Sequence, residues 1–303
     1  MILEDVAPQF LHSSSRIVAI GGGHGLGVTL DALARGGHFP IGIVSVADDG
    51  GSSGRLREAF GQIPPGDLRR CISALVPSDS LWRELLEFRF GESELRGHAL
   101  GNLIFTALAT LNQDPMIAAL ELARLTHAAG RIFPASLDPI TLVGEFQGKQ
   151  ILGQARLSNT AGIQELHHLP NNPRVAPVVV EAIERATTIV LGPGSIYTSV
   201  IAVCQIHEIR EALSRSKARL VYVANLASQV GEAQNMTVVD HIRAIGRYGV
   251  TPDVVLYDDR SIELGDIQMM DPTNLVRASL GCRDDTRIHD VSRLQKHLEA
   301  VIV

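Results

Sequence analysis

A short β-branched run that ends in glycine constrains this chain more than any other feature. Ile17–Ile20 is followed by Gly21-Gly22-Gly23-His24-Gly25-Leu26-Gly27, and Val28 to Arg35 then places Leu30, Leu33 and Ala34 at helical spacing. An apolar run cut off by glycines reads as a buried parallel strand. Strand, glycine turn and helix, followed by a second strand over Ile41–Ala47, open a βαβ fold. Backbone N–H groups at the start of such a helix are unpaired and sit at the positive end of its dipole, so the turn can hold phosphate. Glycine lets an anion come close to the backbone. Five glycines in seven residues exceed what a tight βα turn needs, which points to phosphate at Gly21, Gly22, Gly23, His24, Gly25 and Leu26. The dinucleotide fingerprint fails because Leu26 stands where its third glycine belongs, and no G-K-[ST] follows, so neither an NAD enzyme nor a P-loop NTPase is indicated.

The same grammar returns later. Thr188–Leu191 predicts a strand, Tyr197–Ser214 a helix, Leu220–Asn225 a strand, Thr237–Tyr248 a helix, Val254–Tyr257 a strand and Asp290–Val303 a C-terminal helix. Between the two halves, Gly66–Leu111 reads as mostly helical and Pro115–His127 as another helix. Thr141–Phe146 and Ile151–Leu157 read as a hairpin, and Asn159–Pro177 as loop. The expected fold is α/β, a doubly wound, mostly parallel sheet with a helical and β-hairpin insertion at about 66–160. Met1–Ser15 is expected to be an N-terminal arm and residues 16–303 a single domain. In such sheets ligands lie at the carboxyl ends of strands, where the order reverses.

Composition narrows the function classes. The chain has 303 residues, 45% apolar and 20% charged, the balance of a folded globular protein. A net charge of −6 argues against a general nucleic-acid binder but leaves room for a local phosphate pocket. Cys71, Cys204 and Cys282 are too few and too far apart for a disulfide framework or a short-spaced zinc site, and fit a reducing cytoplasm. Glu4 and Asp5 stand where a signal peptide carries Lys or Arg, and no apolar run approaches membrane-spanning length, so no membrane insertion is expected.

Asp48-Asp49-Gly50-Gly51-Ser52-Ser53-Gly54-Arg55 follows the second strand. Adjacent carboxylates suit Mg²⁺, which takes one or two carboxylates plus phosphate oxygens; an acid there can instead bind a ribose hydroxyl. Ser52, Ser53 and Arg55 suit phosphate. Gly50 to Gly54 also matches the nucleophile elbow of serine hydrolases, but the paired aspartates beside it oppose an oxyanion. Pro64-Pro65-Gly66-Asp67 enters a helix with Asp67 as N-cap, and Arg69 and Arg70 either face solvent or reach a ligand. His98 and Asn102 share a helix face at i, i+4, as ligand contacts or as part of a satisfied helix N-terminus. Gly192-Pro193-Gly194-Ser195-Ile196-Tyr197 forms a second strand-to-helix turn, read as a second anion site through Gly192, Gly194, Ser195 and Tyr197. Two such turns imply a diphosphate or a two-part ligand. Asn225, with Gln229, Gly231 and Glu232, follows the next strand and could read a base or sugar.

Together these motifs resemble the gluconeogenesis factor family of the CofD-like superfamily. The resemblance rests on Val46–Arg57, Pro64-Pro65-Gly66-Asp67, Gly97-His98-Ala99-Leu100-Gly101-Asn102-Leu103 and Leu191–Ser199, in order from about Ile17 to Asp258. It implies a Rossmann-like fold with a nucleotide-binding cleft. It also implies binding of UDP-sugars such as UDP-N-acetylglucosamine, and a role in gluconeogenic growth, cell-wall precursor supply and cell shape. The related branch, the 2-phospho-L-lactate transferases of coenzyme F420 synthesis, moves a phospholactyl unit from a nucleotide diphosphate donor to a deazaflavin hydroxyl with Mg²⁺. Four segments depart from the pattern: His24 for Thr, Ala99 for Ser, Ala202-Val203 for Pro-Asn, and Asn225-Leu226-Ala227-Ser228-Gln229-Val230-Gly231-Glu232-Ala233 for N-L-M-T-Q-P-G-E-T. The last two lie where base or sugar is selected. The same cleft serves a regulator or a transferase, and no catalytic residue is assigned. A large flat acceptor prefers aromatic walls, and 4% aromatic content favours binding over transfer. Apolar residues spread around the helices of Leu81–Leu111, notably Trp82 and Phe88, predict a homodimer.

Overall fold

The computed structural model describes residues 16–229, 231–260, 262–267 and 275–303. The expected N-terminal arm, Met1–Ser15, lies outside the described residues.

β1 (Ile17–Gly21) is buried along its whole length at the centre of a seven-stranded sheet. It carries no polar side chain, as a strand covered on both faces requires. β2 (Ile41–Val44) pairs with it on one side and β7 (Thr188–Leu191) on the other. β3 (Arg131–Pro134) continues beyond β2; β8 (Arg219–Val223), β9 (Val254–Tyr257) and β10 (Leu275–Arg277) continue beyond β7. Every pairing is parallel, and the spatial order is β10-β9-β8-β7-β1-β2-β3. The chain winds outward from β1 in one direction and from β7 in the other. Their carboxyl ends therefore form the switch point of a Rossmann-like sheet.

α1 (Gly23–Arg35) links β1 to β2. Five helices lie between β2 and β3: α2 (Gly51–Phe60), α3 (Gly66–Leu75), α4 (Leu81–Glu87), α5 (Leu100–Asn112) and α6 (Pro115–Leu125). Asp114 caps α6 by accepting from Met116 N and Ile117 N, with Pro115 at the first helical position. A three-stranded antiparallel sheet follows, ordered β5-β4-β6. It is built from β4 (Thr141–Phe146), β5 (Lys149–Leu152) and β6 (Glu165–Leu169), with a single turn, α7 (Gln154–Leu157), after β5. α8 (Pro177–Arg185) leads into β7. Beyond β7 come a π-helix (Ile196–Ile201), its continuation α9 (Ala202–Cys204), α10 (His207–Arg215), α11 (Val238–Gly246) and α12 (Val291–Glu299).

Several local expectations are corrected. The Asp48–Gly54 loop is half helix, because Gly54 N bonds to Gly50 O and opens α2. Gly54 is needed there: a Cβ would strike the Asp49 carbonyl. Ile151–Leu157 is not one strand, since Gly153, at φ +97°, turns the chain out of β5 into α7. Asn159–Pro177 contains β6, whose alternation is hidden because the inward residue His168 counts as polar in a sequence. Tyr197–Ser214 is broken between Cys204 and His207, and β3, β10 and α8 lie outside the elements that the sequence predicts.

Burial keeps His168 and His241 neutral. His168 Nε2 lies 2.7 Å from Ala202 O, and His241 Nδ1 lies 3.2 Å from the Tyr222 hydroxyl. Desolvation pushes both pKa values down to about 4. The unfolded chain takes up these protons at the ordinary value, about 6.5. The stability they contribute is therefore complete above that value and is lost as pH falls toward 4. Each should cost about 2 kcal/mol between pH 7.5 and pH 5. Urea unfolding at the two pH values checks this, and His241→Asn should reduce the loss by that amount.

Candidate functional site

A cleft of about 440 Å³ opens at the carboxyl ends of β1 and β7. Its floor is the glycine turn that leads into α1. Gly22 is the N-cap of α1, with no side-chain hydrogen bond and no acid in the first helical turn. No side chain of α1 itself therefore caps the first donors of that turn. Of the predicted residues, Gly22, Gly23, His24 and Gly25 line the cleft, while Gly21 and Leu26 are buried beneath it. His24 stands exposed at the rim, its pKa lowered first by partial desolvation and then by the Arg70 guanidinium.

The second turn packs directly on the first. A Cβ on Gly25 would collide with the Pro193 carbonyl, so only glycine lets the two backbones touch. Thr29 Oγ1 on α1 donates to Gly192 O at 2.8 Å. Asn225, at the end of β8, clamps the turn from the other side. Its Oδ1 accepts from Gly194 N and its Nδ2 donates to Gly194 O, both at 2.9 Å. The Asn225 amide therefore holds the turn in place.

The expected anion site on this second turn is already filled from within. The Glu232 carboxylate accepts from Tyr197 N and Thr198 N, each at 3.3 Å. Gly194 N, Tyr197 N and Thr198 N are thus all spent inside the protein. Gly194, Ser195 and Asn225 line the cleft, whereas Gly192 and Tyr197 do not. Ser195 exchanges hydrogen bonds with Gln229: Gln229 Nε2 donates to Ser195 Oγ at 2.9 Å, and the hydroxyl lies 3.3 Å from Gln229 Oε1.

The acidic loop splits in two. Asp49 turns away from the cleft, with Oδ1 accepting from Ala155 N at 2.9 Å. Asp48 turns inward, its Oδ1 accepting from Gly50 N at 3.0 Å. The acid that faces the glycine turn is Asp67, which lies against Gly22 and Gly23. Asp67 is inside the first turn of α3, where Pro65 occupies the N-cap position. Burial, then the neighbouring Asp48 carboxylate, raises its pKa to about 6, against the pull of Arg70, which donates to Asp67 Oδ1 at 2.8 Å. Two hard-oxygen carboxylates that repel each other beside a helix N-terminus are the pair a divalent cation would take, so Asp48 and Asp67, rather than Asp48 and Asp49, are the residues that could hold Mg²⁺. Among the described residues no group of three or more His, Cys, Asp or Glu forms a metal cluster.

The remaining predicted residues form a layer outside the cleft lining. Gly66 is wedged between Ser53 and Asp48. Arg55 Nη2 donates to Arg96 O at 3.0 Å on the surface. His98 precedes α5 instead of lying on it, yet it meets Asn102 at Ser52, since both lie 3.0 Å from Ser52 Oγ. Arg69 Nε donates to Asn102 Oδ1 at 3.3 Å, and the Arg69 guanidinium pairs with Glu87. Arg69 is fully buried, so the solvent-facing alternative for it fails. The Ser52 hydroxyl of the elbow-like motif is held in this network.

Sequence reasoning missed Gln154, Arg287 and His289, which line the cleft. Arg287 sits on a surface segment, its guanidinium pairing with Asp285 at 2.9 Å. His289 is kept neutral by burial, its pKa pushed down to about 4, with Nε2 3.3 Å from Ala224 O. No local motif marks either residue; the fold brings them over the end of β8.

The family model described as 2-phospho-L-lactate transferase CofD matches residues 17–287. A protein of Nostoc sp. named "Putative gluconeogenesis factor" is 40% identical over 243 residues, 79% of this chain and 53% of its own. The chain thus spans about half the length of that relative. A "Gluconeogenesis factor" of Listeria innocua is 39% identical over 233 residues, 76% of this chain and 72% of its own. The crystal structure of a UPF0052 family member from Bacillus halodurans is similar at a TM-score of 0.88 and 31% identity, over 94% of this chain and 98% of that one.

The contact between the turns has a direct test. Gly25→Ala should cost about 1–3 kcal/mol, the range for overpacking a rigid contact, read as a lowered urea midpoint. An unchanged midpoint would mean that the turns separate freely.

Proposed function

The chain belongs to the CofD family, and from that premise we propose that it binds a nucleotide sugar, a UDP-sugar or another nucleoside-diphosphate sugar. In this reading it acts as a cytoplasmic gluconeogenesis factor that links carbon metabolism to cell-wall precursor supply and cell shape. The observation that carries the reading is the open first turn. Its unfilled helix N-terminus faces a cleft at the sheet's switch point, the place where such folds take phosphorylated ligands. The cleft's volume falls within the range of small-molecule sites. Arg287 supplies positive charge at the rim, and Ser195, Ser228 and Gln229 supply uncharged polar groups opposite. Buried, unpaired Cys71 and Cys204 suit a reducing compartment. No helix of the described residues is long and apolar enough to cross a membrane.

One observation favours a second reading, a transferase that displaces a nucleoside monophosphate from a nucleotide diphosphate donor. Asp48 and Asp67 lie together beside the phosphate turn, and Mg²⁺ held there would neutralise charge on a leaving phosphate. The chain's own part is to orient the phosphate on the backbone of Gly22–Gly25 and to keep the Asp67 carboxylate against it.

Calorimetric titration with UDP-N-acetylglucosamine, with and without Mg²⁺, tests both readings. Arg287→Ala should weaken binding about tenfold, the value of one charge-assisted contact, with the unfolding midpoint unchanged. Asp67→Asn should abolish the Mg²⁺ dependence. Chromatography of the same mixtures, with an alcohol acceptor added, should show released nucleoside monophosphate only if the second reading holds.

A two-fold homodimer belongs to the same proposal. Leu81, Phe88 and Leu111 on α4, its end and α5 are 66%, 51% and 80% exposed, apolar side chains that a second copy would cover. Light scattering at micromolar concentration should give twice the 32.6 kDa of one chain; the single-chain mass would refute it.

A further inference from the structure

The glycine-rich turns look alike in sequence, but among the hydrogen bonds of the described residues only the second has a carboxylate accepting from the backbone N–H groups of its helix start. The first has no acid in its helical turn and no side-chain cap. Beneath the second lies Glu232, 1% exposed. Both of its oxygens act as acceptors, one toward Tyr197 N and one toward Thr198 N. A carboxylate in that position completes the helix N-terminus as a bound anion would. Burial raises the pKa of Glu232 and hydrogen bonds from this helix start oppose the rise.

What this turn still presents to the cleft is neutral. Ser195 and Gln229 hold each other's polar groups at 2.9 and 3.3 Å, and Asn225 is spent on Gly194. Hydroxyl and amide groups can exchange such bonds for bonds to a polyol, since each is both donor and acceptor. An anion brought to the same place would meet the Glu232 charge through a poorly hydrated interior, where like charges cost most.

We propose that Glu232 makes the second turn a reader of uncharged hydroxyls and bars a second anionic group from it. The ligand then lies in one orientation, phosphates on Gly22–Gly25 and a neutral sugar against Ser195 and Gln229. This rests on the nucleotide-sugar reading and adds to it a selectivity: neutral hexoses are taken and hexuronates are refused.

UDP-glucose, UDP-glucuronate and UDP, titrated separately by calorimetry at pH 8, test it. The natural chain should bind UDP-glucose at least about tenfold more tightly than UDP-glucuronate, the scale of one like-charge contact. Glu232→Gln should close most of that gap by improving the uronate. Ser195→Ala should weaken UDP-glucose more than UDP. If Glu232→Gln does not fold, the natural chain and Ser195→Ala still decide. Equal or tighter binding of the uronate by the natural chain would overturn this inference and leave the nucleotide-sugar reading standing. So would an equal loss for UDP and UDP-glucose in Ser195→Ala. Failure of all three compounds to bind would overturn both.

Discussion

The fold of the site depends on one backbone contact, the approach of Gly25 to the carbonyl of Pro193 at the switch point between β1 and β7. Two strand-to-helix turns meet there with no side chain between them. Thr29 and Asn225 bind the second turn from opposite sides, at Gly192 O and at both polar atoms of Gly194. The turns are held at fixed separation by groups that belong to α1 and to the end of β8. A cleft built this way needs no loop to close before its donors point correctly, which is the condition for preorganised binding.

Charge is distributed unevenly around that contact. The first turn has open donors but faces Asp67, a half-buried acid whose pKa is raised by burial and by Asp48. Phosphate and carboxylate cannot share that corner unless a cation or a proton lies between them. The second turn has its donors satisfied by Glu232. Buried Arg69, tied to Asn102 and Glu87, stiffens the wall behind the acidic loop through Asn102 and Ser52. The rim cation Arg287 is paired with an aspartate on its own surface segment.

The sequence carried the fold far because its signals were local. The β1–α1 junction, the return of the same grammar at β7, and the alternation of apolar runs with helical spacing all lie within short stretches. The failures have physical causes as well. β6 hides its alternation behind a buried histidine, α2 begins inside a glycine-serine run that reads as loop, and Gly153 ends β5 five residues earlier than its apolar content suggests. Neutral, buried His168 behaves as a core residue because desolvation outweighs the support that the Ala202 carbonyl gives its charged form.

By itself the sequence determined that a parallel α/β sheet with two glycine turns would form, and that residues near Gly22, Asp67, Ser195 and Asn225 would gather at its carboxyl edge. Backbone conformation and apolar periodicity are set by neighbours a few positions away, so they can be read along the chain. Only the tertiary structure decided what each polar group does. It gave Asn225 to Gly194, turned Asp49 out and Asp67 in, brought Arg287 and His289 across the end of β8, and set Glu232 into the helix start behind Tyr197 and Thr198. Hydrogen-bond partners and electrostatic neighbours are fixed by distance in space, and the partners of these groups lie up to 106 residues apart along the chain.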